Sequence, residues 1–125
     1  MATSHMDLTA VTIDCSDAGR LADFYANLTG GTVTYRDDDS GHAQTTVGDA
    51  VLNFQAVHSY SPPQWPGQEH PQQFHLDFGV KDLDSAVAHA LDLGATEAIE
   101  QPAADKYKVM MDLDGHPFCL APSNS

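Results

Sequence analysis

His75 and Asp77 stand two residues apart in Phe74–Val80, FHLDFGV, a stretch that alternates polar and apolar side chains. As a strand it puts both on one face and Leu76, Phe78 and Val80 on the other. An imidazole beside a carboxylate suits acid–base catalysis, a metal site, the wall of a ligand pocket or a solvated surface. Which of these holds depends on what other strands place beside the pair. The same alternation leaves Ala10, Thr12 and Asp14 opposite Val11 and Ile13, and Val51, Asn53 and Gln55 opposite Leu52 and Phe54. In the last strand, Cys119 lies opposite Phe118 and Leu120.

The elements that carry these residues repeat. Thr9–Gly31 and Phe74–Ala95 share an order of alternating strand, Asp, helical pattern and glycine stop, with Asp17 matching Asp82 and Leu28 matching Leu93. Leu21, Phe24, Tyr25 and Leu28 form one helical stripe, with Asp17 as a capping residue and Gly30-Gly31 as the stop. Leu83, Ala86, Val87 and Ala90 form the other behind Asp82, and His89 falls off it. Strands are predicted next at Thr32–Arg36, Ala43–Val47 and Ala50–Val57, and at Thr96–Glu100, Lys106–Asp112 and Pro117–Ala121. The chain thus reads as two βαβββ modules, residues 8–58 and 74–121. The joining segment 59–73, SYSPPQWPGQEHPQQ, is too rich in Pro, Gln and Gly for either regular structure, and its length suits a lid or binding loop. Its Tyr60 and Trp65 suit flat ligands.

Two sheets, each with a helix on one face, must turn the other face toward something. The expected architecture is α+β, two βαβββ modules forming an incomplete barrel around a cleft. The residues expected to line that cleft and bind a ligand are Thr12, Asp14, Asn53, Gln55, Tyr60, Trp65, His75, Asp77 and Cys119.

Composition narrows the partners. At 125 residues the chain can bury a core without disulfides or a structural metal, and no run approaches a membrane span. Residues 1–5, MATSH, read as an expression scar, leaving 6–125 as a single domain. Cys15 and Cys119 form no framework, which fits a reducing cytoplasm. A formal charge of −13 opposes nucleic acid and anionic membranes, and it suits either a cationic ligand or plain solubility.

SDAGRLADFYANLTGG, HLDFGVKDLDSAVAHALDLGA and DLDGHPFCL, spread over Leu8–Ala121, resemble the vicinal oxygen chelate superfamily of glyoxalase I, bleomycin-resistance proteins and extradiol dioxygenases. PPQWP, PQQFHLDF and GHPFCL are similar to the small single-chain glyoxalase-like proteins. The resemblance places the four metal-ligand positions of metal-binding members on Ala10, Asn53, His75 and Cys119, of which only His75 keeps a usual ligand. Asp14, Asn53, His75 and Asp77 are a chemically possible second set, offset along the strands. No cofactor is expected, although a divalent metal is conceivable. His75 also suits a polar network with Asn53 or Gln55, and Cys119 suits a small buried hydrophobe or a nucleophile with His75 as base. The first expectation for function is sequestration of a small organic compound or antibiotic, planar and neutral or cationic, without turnover. The second is a lyase or isomerase with a degenerate metal site or with His75 and Asp77 as catalytic acid and base. The resemblance also implies a homodimer.

Overall fold

In the computed structural model, residues 6–123 are described, so the segment read as an expression scar lies outside them. The chain divides between His58 and Ser59 into two compact units, and the joining segment belongs to the second.

The first unit contains β1 (Val11–Cys15), α1 (Ala18–Thr29), β2 (Thr32–Asp37), β3 (His42–Val47) and β4 (Ala50–Ala56). Its mixed sheet has the order β1-β4-β3-β2, with β1 and β4 parallel. Asp17 caps α1 by accepting the Arg20 N–H at 3.1 Å, and Gly30, at φ +78°, ends it in the left-handed conformation that glycine adopts without strain. The helix buries Leu21, Phe24 and Tyr25, and Tyr25 stacks on Phe54 with ring centroids 5.6 Å apart. Arg36 ties β2 to the helix by donating to the Gly19 carbonyl and pairing with Asp23, both at 2.8 Å.

The second unit repeats the plan with β5 (Leu76–Val80), α2 (Leu83–Asp92), β6 (Thr96–Glu97), β7 (Lys108–Met111) and β8 (Pro117–Pro122). Its order is β5-β8-β7-β6, with β5 and β8 parallel. The architecture is therefore α+β, two βαβββ modules with a four-stranded mixed sheet in each, as the repeat predicts. Phe118, Leu120 and Met110 are buried, as are Val87 and Ala90 from α2. Asp82 stands at the N-cap of α2 but makes no capping bond, because its carboxylate accepts the Ser85 hydroxyl instead.

Three strands are shorter than their patterns suggest. β5 starts at Leu76, so His75 immediately precedes it. β6 stops at Glu97 because the Gln101 side chain acts as a surrogate strand. Its amide donates to the Ala98 and Val109 carbonyls at 2.9 and 2.8 Å and accepts the Val109 N–H at 3.0 Å. β7 starts at Lys108 because the N–H groups of Lys106 and Tyr107 turn back to the Ala103 carbonyl at 2.8 and 2.9 Å. Segment 59–73 forms no helix or named strand, as its composition suggests, but Gln64 and Pro71 make an isolated bridge.

Candidate functional site

In a parallel pair, residues in register share a face. Asp77 lies opposite Cys119, and Cys119 lies opposite Val109 on the far side of β8, so one row crosses β5, β8 and β7. His75 stands two residues before Asp77. Its Nε2 lies 3.1 Å from Asp77 Oδ1, with His75 37% and Asp77 73% exposed. The Cys119 thiol, 9% exposed, donates a hydrogen bond to the Asp77 carboxylate. Burial first, then the charge of Asp77 and this bond, push the thiol from its ordinary 9.0 up to about 11. At neutral pH it is protonated, and a protonated thiol is not a nucleophile.

His75, Asp77 and Cys119 form the polar wall of a pocket of about 390 Å³ within the second unit. Trp65, Tyr107, Val109, Pro117 and Ala121 supply its apolar lining, and Gln72 joins the polar side. Trp65 packs against the small buried cluster of Ala98, Val109 and Cys119. Of the residues expected to bind ligand, Trp65, His75, Asp77 and Cys119 are brought together here. Tyr60 is not among the lining residues. Its hydroxyl donates to the Asp114 carbonyl at 2.9 Å and lies 3.1 Å from His116 Nε2, while His116 Nδ1 meets the buried Asp112 carboxylate at 2.8 Å. Tyr60 thus anchors the start of the loop to the β7–β8 turn.

Thr12, Asp14, Asn53 and Gln55 lie in the first unit, where Thr12 pairs with Asn53 and Asp14 with Gln55 across β1 and β4. Asn53 Oδ1 accepts the Gln44 amide at 2.9 Å, and Gln44 Oε1 accepts the Thr34 hydroxyl at 2.8 Å. His75 therefore takes Asp77 as partner, and Asn53 takes Gln44. Sequence reasoning missed Gln44 and Thr34, although polar alternation in their strands marks that face. It also missed Tyr107, Val109 and Gln72. Pairing with Cys119 could have revealed Val109, whereas nothing local distinguishes Gln72. A larger open hollow of about 620 Å³ in the first unit contains none of the candidates, and Asp23 and Arg36 in its wall neutralise each other.

The family model for the glyoxalase-like domain matches residues 10–121. The chain belongs to this family. Its fold is that of the vicinal oxygen chelate superfamily. Among solved structures, the fosfomycin resistance protein FosX from Mesorhizobium loti is 16% identical, with 97% of this chain and 95% of that one covered at a TM-score of 0.70. A glyoxalase/bleomycin resistance protein/dioxygenase family enzyme from Burkholderia phytofirmans PsJN is 18% identical, covering 94% and 98% at 0.71. A variant of FosX from Listeria monocytogenes, complexed with Mn(II) and 1S,2S-dihydroxypropylphosphonic acid, is 16% identical, covering 97% and 95% at 0.72. At these identities the likeness is one of fold. Among curated proteins, none matches the sequence.

Ligand atoms of His75, Asp77 and Cys119 lie within 4.8 Å of one another, compact enough to gather around an ion. Their chemistry does not fit a hard ion such as manganese(II), which prefers oxygen and imidazole to sulfur. Of the first-unit positions that the resemblance implies, Ala10 has no donor atom, and Asn53 Oδ1 accepts the Gln44 amide.

Proposed function

We propose that the second-unit pocket binds a small planar organic molecule, neutral or cationic, and sequesters it without turnover. The observation that supports this reading is the protonated Cys119 thiol bonded to Asp77, which leaves the pocket wall without a ready nucleophile, with His75 3.1 Å from the same carboxylate. Beside it, Trp65 and Tyr107 offer flat apolar contact of the kind that holds an aromatic ligand. No Lys or Arg is among the described residues lining the pocket, so an anion would face Asp77 with no fixed cation to offset it. The phosphonic acid bound by the Listeria FosX is a ligand of the opposite kind.

A lyase or isomerase reading rests on the solvent-accessible His75–Asp77 pair at 3.1 Å, a geometry suited to proton transfer. The two readings separate in a glyoxalase-type lyase assay run beside a thermal-shift screen of aromatic cations, neutrals and carboxylates. Sequestration predicts stabilisation without turnover, and turnover abolished by His75→Ala selects the enzyme. A cytoplasmic homodimer is part of the proposal. Cys15 and Cys119, neither of them in a disulfide, support a reducing compartment, and among the described residues no helix is long and apolar enough to cross a membrane.

A further inference from the structure

Among the described residues, Gln72 Oε1 is the buried side-chain nitrogen or oxygen atom that has no hydrogen-bond partner. Gln72 lines the same pocket as Trp65, His75 and Asp77. Buried amide oxygens are almost always paired, because removing one from water without a replacement donor destabilises the fold. An orphan in a pocket wall is therefore a group whose partner arrives from outside.

We infer that Gln72 is the specificity-determining acceptor of the pocket, and that the molecule bound there presents an N–H or O–H donor to it from a flat apolar body. This rests on the sequestration reading and adds the polar half of the ligand. Asp77, the other acceptor in the wall, already takes the Cys119 thiol and lies 3.1 Å from the His75 imidazole. The backbone beside Gln72 is tied down within the loop. Pro71 bridges to Gln64, and the Gln64 N–H donates to the His70 carbonyl at 2.6 Å. The loop thus carries Trp65 for contact area and Gln72 for hydrogen-bond recognition. A ligand with no donor would bury Gln72 further and leave it unpaired, which is how a polar site rejects a close analogue.

Benzamide and N,N-dimethylbenzamide share a planar aromatic body and differ in the N–H donors. Their binding to the whole protein is read from Trp65 fluorescence and from thermal shift, with Gln72→Met as a near-isosteric variant lacking the acceptor. Benzamide is expected to bind wild type roughly tenfold more tightly than its dimethyl analogue, and the gap should close to about twofold in Gln72→Met. Unliganded Gln72→Met should melt no lower than wild type, since it removes an unpaired group. A gap that persists in the variant reflects shape alone and overturns the inference, as does a variant that melts several degrees lower, which would give Gln72 a structural role. If neither amide binds wild type at millimolar concentration, the sequestration reading itself fails and the inference falls with it.

Discussion

Asp77 and Cys119 face each other across the parallel pairing of β5 and β8, and the thiol of one donates to the carboxylate of the other. The third member, His75, stands 3.1 Å from the same carboxylate, so the wall sets an acidic group between an imidazole and a protonated thiol.

Cys119 should resist alkylation at neutral pH and react only as pH approaches its elevated pKa of about 11. Asp77→Asn removes a charge that opposes the thiolate, so the inflection in the iodoacetamide rate should move down. Cys15, fully buried, should stay protected in both proteins. An inflection that Asp77→Asn leaves unmoved would remove Asp77 as a cause.

The same shift predicts a loss of stability in alkali. Between the ordinary 9.0 and about 11, the unfolded thiol has released its proton while the folded one keeps it. The unfolded state then binds fewer protons, so unfolding free energy falls as pH rises through this window. The contribution is complete below about 9 and lost as pH passes about 11. Urea midpoints measured from pH 8 upward should fall more steeply for wild type than for Cys119→Ala, and parallel curves would contradict the assignment.

The turn beneath the loop is a second buried network, and its members should differ in weight. His116→Ala leaves the Asp112 carboxylate, whose side chain is 0% exposed, without its imidazole partner. The carboxylate keeps the backbone N–H groups of residues 114 and 116 at 2.9 and 3.0 Å, so the cost is that of one hydrogen bond to a charged group, about 1.5–3 kcal/mol. Tyr60→Phe removes one hydroxyl that bonds the Asp114 carbonyl and His116, a loss of about 1 kcal/mol. Denaturant unfolding orders them, and equal losses would mean that Asp112 finds another partner.

Much of this fold is legible in the sequence because burial imposes period. The stripe of Leu21, Phe24 and Tyr25 and the alternation around Leu52 and Phe54 report faces that must avoid water, and the structure buries them all. Asp77 and Cys119 are legible for the same reason, as the polar interruptions in two such strands. What the pattern could not show was pairing. The Gln101 side chain replaces a strand that propensity would have extended, and Tyr60 is drawn to Asp114 and His116, more than fifty residues away. A loop glutamine such as Gln72 has no period at all, so only its unpaired oxygen distinguishes it.

After dialysis against zinc, nickel, iron or manganese, the protein should retain well below one equivalent of each by plasma emission. With three donors in place of four, an ion there would have to recruit water and would be held more weakly. Stoichiometric metal that His75→Ala removes would contradict this.

The central claim is that the second-unit pocket holds a flat neutral or cationic molecule against the Asp77 wall. The chain has a single tryptophan, Trp65, and it lines that pocket, so its fluorescence reports this site. The most direct measurement is a Trp65 titration with benzamidine, benzamide and benzoate on wild type and Asp77→Asn. Benzamidine and benzamide should change the signal saturably and benzoate should not, and Asp77→Asn should weaken benzamidine about two- to fivefold, the scale of a solvent-exposed ion pair, while leaving benzamide nearly unaffected. Saturable binding of benzoate in preference to the other two, unchanged by Asp77→Asn, would contradict the account.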